Sequence, residues 1–161
     1  MPETLPAKKD NPGVIFPPPL LFLGALAVGL GLDTWLPLTG DWPRHEIANA
    51  IAFGLGAGGV VLMGWMIATF ARVGTPVPTY KTPRAIATGG PFSFTRNPAY
   101  VGMALIYVAV ALGFGRAWTW VLLLPLLMIV RYGVIGREER YLERKFGDEY
   151  RAYRARVRRW I

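Results

Sequence analysis

Residues 47–71 read IANAIAFGLGAGGVVLMGWMIATFA, without a single charged side chain. A helix needs roughly 20 consecutive apolar residues to cross the hydrocarbon core of a bilayer, so this stretch is long enough. Inside it, Gly54-Leu55-Gly56-Ala57-Gly58-Gly59 matches the G-x-G-x-x-G spacing of a dinucleotide-binding loop. That fingerprint also requires a preceding strand and an acid roughly 20 residues further on, and neither is present. Gly54 and Gly58 are instead expected to form a G-x-x-x-G pair that lets two helices approach closely.

Three more apolar runs flank this one. They cover about 18–38, 99–114 and 117–135, and each approaches spanning length. The third and fourth runs are separated only by Gly115-Arg116, which predicts a tight antiparallel hairpin. Pro125 lies inside the fourth run and is expected to kink it, a distortion membrane helices tolerate. Hydrophobic residues make up 53% of the 161-residue chain, and their concentration in runs predicts an all-α integral membrane protein in one domain. Lys8 and Lys9 precede the first run as in a signal peptide. The Ala25-Leu26-Ala27 triplet lies within the run rather than after it, so the run is expected to be kept as a span.

The net charge of +8 would suggest nucleic acid in a soluble protein. Here the bases sit at the ends of apolar runs, where anionic lipid headgroups are the expected partner and nucleic acid is not. All of the 18 Lys and Arg residues except Arg44 and Arg116 fall in the N-terminal segment, the 72–98 loop and the end of the chain from Arg131. The positive-inside rule therefore predicts that these segments, with both termini, face the cytoplasm. Cysteine is absent and His45 is the only histidine, which excludes thiolate chemistry and gives no set of metal ligands. His45 is expected in an exposed loop beside Arg44 and Glu46, and Asp33 at a span boundary, where a charge costs little.

Two stretches on the basic side can carry chemistry. The 72–98 loop is long and rich in Pro, Gly and Thr, which is unusual between spans unless it has a task. Tyr80 and Lys81 within it are weak candidates for substrate contact. The loop ends in Arg96-Asn97-Pro98-Ala99-Tyr100-Val101-Gly102. Pro98 suits the first position of a helix, with Asn97 as its cap. A helix start with Arg96 nearby can hold a carboxylate or phosphate, Tyr100 offers an aromatic face, and Gly102 allows close approach of a ligand or a helix. An ordinary capped helix with a snorkelling arginine fits the same residues. The second stretch, 137–159, places Leu142, Phe146, Tyr150, Tyr153 and Val157 on one face and Arg140, Arg144, Arg151 and Arg158 on the other. That pattern predicts an amphipathic cytoplasmic helix, with Gly147 marking a bend. Glu139 falls inside its apolar stripe and Glu138 at the edge. A carboxylate there needs a partner, either a ligand or a salt bridge to Arg96 or Arg131.

RNPAYVG at 96–102, followed about 35 residues later by REERYLERKFGDEYRAYRARV at 137–157, resembles the isoprenylcysteine carboxyl methyltransferase family and its phospholipid N-methyltransferase relatives. The likeness covers the chain from Gly74 onward. It implies a membrane-embedded, all-helical methyltransferase that uses S-adenosylmethionine without a Rossmann domain. It also implies a cofactor pocket built from Asn97, Pro98, Tyr100 and Gly102 with Glu138 and Glu139, and it marks Arg96 and Glu139 as candidate catalytic residues. Arg96 would orient the acceptor or the cofactor carboxylate, and Glu139 would serve as base for an amine acceptor. Asn97 stands where many eukaryotic members carry histidine, so no imidazole role transfers. The expected acceptor is lipidic or a small apolar molecule. Two other readings stay open: a nicotinamide-dependent membrane reductase, which shares a loosely similar R-x-P-x-Y ending, and a non-catalytic lipid-binding membrane protein.

Overall fold

A computed structural model describes residues 12–13, 16–38, 46–76 and 82–161. Lys8, Lys9, Arg44, His45, Tyr80 and Lys81 lie outside the described residues. Those described form helices and no strands. Helix α1 is Pro18–Trp35 and α2 is Glu46–Val73. A short 3-10 turn, Gly90–Ser93, precedes α3, Pro98–Phe114. Helix α4, Ala117–Met128, widens into a π-helical stretch at Ile129–Ile135 and continues as α5, Gly136–Phe146. Helix α6 is Asp148–Arg156.

Among the described residues, three helices are long and apolar enough to cross a membrane: α1, α2 and the continuous run Ala117–Phe146. Helix α3 is apolar and shorter, at 17 residues. Leu23, Phe53, Val60, Val61 and Leu124 project outward, as they must where the surroundings are lipid. This is an all-α membrane architecture.

Lipid tails are as apolar as leucine, so the helices are held by close packing and a few polar contacts rather than by hydrophobic exclusion. Helix α2 runs along α3, and α1 along α4. The close approach of α2 and α3 depends on Gly59 and Gly102. A Cβ on Gly59 would lie 2.7 Å from the Gly102 carbonyl oxygen, and one on Gly102 would lie 2.7 Å from Met63 Cγ. Gly54 and Gly58 face open space, so the packing pair is not the one expected from G-x-x-x-G spacing. The stripe that turns toward α3 carries Ala52, Gly59 and Met66, one position out of phase with Gly58.

At the far end, Asp33 is buried and lies 3.9 Å from Arg116 Nε, tying α1 to the α3–α4 turn. It is thus a buried and paired charge near the end of α1. The turn forms as expected, with Gly115 in the left-handed conformation at φ 62°, but α3 and α4 do not pack tightly along each other beyond it, because each follows another helix. Tyr107, fully buried, donates its hydroxyl to the Thr119 carbonyl at 2.7 Å across that hairpin.

Pro125 does not break the fourth helix. The chain remains helical through it and relaxes into i→i+5 bonding four residues later. That wide turn resets the phase of everything downstream, including Glu138 and Glu139. The helix expected over 137–159 is divided: α5 continues directly from the span, stops at Gly147 (φ 54°), and α6 packs back beside it. Leu142, Phe146, Tyr150, Tyr153 and Val157 do come together, against Met66, Ala87 and Phe92.

Candidate active site

At the end of the bundle opposite the hairpin, the start of α3, the start of α5, α6 and the second half of α2 enclose a cavity of about 360 Å³. That is the size of a small-molecule site, which typically spans roughly 300–1,000 Å³. Its walls are mostly apolar, from Met63, Met66, Phe70, Phe92 and Met103. Its polar groups are Thr75, Arg96, Asn97, Tyr100, Glu138, Glu139, Tyr141, Tyr150 and Tyr153. The two stretches singled out in the sequence therefore share one cavity.

Most of these groups are held by a traceable contact. Tyr100 donates its hydroxyl to Glu138 Oε1 at 2.7 Å, bridging α3 to α5. Glu139 is buried and accepts two hydrogen bonds from Arg159, Nε to Oε1 at 2.8 Å and Nη2 to Oε2 at 2.6 Å. This two-pronged arrangement is the strongest form an Arg–carboxylate contact takes. The bond to Glu139 also raises the Arg159 pKa above its ordinary value. Arg96 Nη1 lies 3.2 Å from Glu139 Oε1, close enough for an ion pair, but the geometry is not that of a hydrogen bond. Arg96 Nε and Nη1 thus stay buried without a hydrogen-bond partner. Arg96 and Arg159 balance Glu138 and Glu139 in formal charge, and two Arg96 donors are left without a hydrogen bond. Buried donors in native proteins are nearly always satisfied, so these two mark a place for a hydrogen-bond acceptor.

Asn97 occupies the cap position of α3, but its side chain makes no capping bond. Its Nδ2 donates to the Arg159 carbonyl at 2.9 Å instead. The Arg96 backbone N–H donates to the Arg158 carbonyl at 3.0 Å, and Thr95 Oγ1 to the Arg159 carbonyl at 3.3 Å. The chain beyond α6 therefore runs alongside the 95–97 segment as a strap and delivers Arg159 to Glu139. Tyr153 donates to the Phe92 carbonyl at 2.8 Å, holding the 3-10 turn over the cavity. Burial pushes the Tyr150 phenol up to about 12, with Glu139 adding to the rise and Arg96 opposing it. Burial raises Tyr153 as well, so both phenols remain neutral donors at ordinary pH.

Of the residues picked out by sequence, Arg96, Asn97, Pro98, Tyr100, Glu138 and Glu139 line the cavity. Gly102 does not, because it is used in the α2–α3 contact. Of the two partners considered for the acidic pair, Arg96 approaches Glu139, while Arg131 stacks over Tyr132 at 5.3 Å. Arg159 was not anticipated. The helical pattern offered no signal for it, because α6 ends at Arg156 and the chain leaves the helix at Val157.

Fold and site together define an all-helical membrane protein with a small-molecule cavity at one end of the bundle. The phospholipid methyltransferase family matches the chain over residues 47–149, nearly two thirds of its length. An uncharacterized protein of Haemophilus influenzae is 42% identical over 62 residues, which is 38% of this chain and 98% of that relative. No solved structure matches. The chain belongs to the phospholipid methyltransferase family, and membership implies a methyltransferase that acts on lipid.

Proposed function

We propose that the protein transfers a methyl group from S-adenosylmethionine to a lipid, at the cytoplasmic face of the membrane. The observation that carries this reading is the buried guanidinium of Arg96, whose Nε and Nη1 make no hydrogen bond, beside Glu138 and Glu139 in one cavity. The donor set suits the amino-acid end of that cofactor. Arg96 fits the carboxylate, Glu138 accepts from the ammonium, and the apolar and aromatic walls cover the rest.

When bound, S-adenosylmethionine supplies an activated methyl on a sulfonium. The protein's own contribution is to align the two reactants and exclude water. Tyr100 and Asn97, each fixed by a hydrogen bond, set the rim at the start of α3. Glu139, gripped by two arginines, is a weak base and acts by holding Arg96 and Arg159 in place. A carboxylate or thiolate acceptor needs no base. A lipid acceptor reaches the cavity along its apolar wall, past Met63, Met66 and Phe70. The cytoplasmic placement rests on the basic residues gathered at this end.

Calorimetry in detergent tests the cofactor assignment. The wild type is expected to bind S-adenosylmethionine, and Arg96→Gln to weaken it by at least tenfold, in line with the roughly 1.5–3 kcal/mol carried by a hydrogen bond to a charged group. Equal affinity in both proteins would remove Arg96 from the site.

A further inference from the structure

A second concavity lies away from the candidate active site, between α3 and α4. The two helices leave the Gly115–Arg116 turn joined by the Tyr107–Thr119 hydrogen bond. They then separate, α3 following α2 and α4 following α1. The gap between them is a groove of about 530 Å³. Val101, Ala104, Leu105 and Val108 form one wall, and Leu127 and Met128 the other. At the end nearest the active site it finishes in Arg131, Tyr132 and Trp160.

We propose that this groove binds an anionic glycerophospholipid, with one acyl chain between α3 and α4 and the phosphate on Arg131. An apolar groove facing hydrocarbon is filled by a lipid chain, and the residues at its end select which lipid. Arg131 is half-buried, and no acidic side chain among the described residues pairs with it. Its guanidinium lies over the Tyr132 ring, a contact that leaves its N–H edge available. Tyr and Trp at one level of a membrane protein mark the headgroup region, which puts Arg131 at the depth of a lipid phosphate. The groove is separate from the methyl-transfer cavity, with which it shares no lining residue. On α3, its residues lie roughly 120° round the helix from Tyr100 and Met103, at about 100° per residue. The bound lipid is therefore a resident one and not the methyl acceptor, and the inference stands whether or not the cofactor assignment holds.

The test uses the full chain, delipidated in detergent and titrated with phosphatidylglycerol or phosphatidylcholine brominated on the acyl chains. Quenching of Trp160 is isolated by difference against Trp160→Phe. The expected result is quenching by phosphatidylglycerol at a lower mole fraction than by phosphatidylcholine. In Arg131→Gln the phosphatidylglycerol midpoint should rise roughly fivefold, as loss of one basic contact to an anionic lipid predicts. Ala104→Phe, which fills the groove, should reduce quenching by both lipids. Identical midpoints for the two lipids, unmoved by Arg131→Gln, would show ordinary boundary lipid and overturn the proposal, even if Ala104→Phe failed to fold.

Discussion

Glu139→Gln isolates the charge that organises the site. The side chains of Arg96 and Glu139 are each 9% exposed, and that of Arg159 is 24% exposed. Removing the carboxylate leaves two poorly solvated guanidinium groups facing each other. Breaking a buried pair by deleting one partner costs about 3–5 kcal/mol. Glutamine keeps the volume and one acceptor oxygen, so the expected loss lies near the lower end, about 3 kcal/mol. Arg159→Met should cost less than half of that, because Arg96 still faces Glu139 and Arg159 is partly solvated. The double variant should be less destabilised than the sum of the two by about 1–2 kcal/mol, the signature of a direct contact. Reversible unfolding in mixed detergent and dodecyl sulfate micelles, followed by far-UV circular dichroism, reads all four proteins. A Glu139→Gln loss below about 0.5 kcal/mol, or strict additivity with Arg159→Met, would refute the view that this cluster holds the strap to the cavity.

Three further outcomes can be checked in the same way. Gly59→Ala places a methyl 2.7 Å from the Gly102 carbonyl oxygen and 2.8 Å from Ile106 Cγ1. It should destabilise by about 1–3 kcal/mol as overpacking does, while Gly58→Ala, which meets open space, should not. Tyr100→Phe removes the donor to Glu138 and should cost about 1–3 kcal/mol by leaving that acceptor unsatisfied, with a matching loss in cofactor affinity by calorimetry. Gly147→Ala forces a side chain into positive φ at the α5–α6 corner and should cost about 1–3 kcal/mol, with increased proteolysis after Phe146.

The spans were legible because uninterrupted apolar length is a local property that lipid rewards directly. The meeting of residues 96–102 with the acidic pair was legible through the family resemblance; chemistry alone required a partner for the carboxylate and left Arg96 and Arg131 both open. Non-local geometry was not. Helical periodicity cannot register Arg159, which reaches Glu139 only after the helix has ended. The packing glycines were misplaced because spacing reveals that two small residues share a face, but not which face a neighbour occupies. Gly59 and Gly102 are paired by the fold, on helices whose intervening loop says nothing about register. Asn97 was correctly placed at the helix start, yet its amide satisfies a carbonyl from the strap rather than the helix it opens.

The most direct measurement is transfer of labelled methyl from S-adenosylmethionine into lipid. The purified protein, in liposomes made from total membrane lipid of its host, is incubated with the labelled donor and the organic phase is counted. The expected result is label in a lipid species with the wild type and near-background counts with Arg96→Gln. Failure of the wild type to label any lipid, with no binding of the donor in the same liposomes, would contradict the assignment of this cavity.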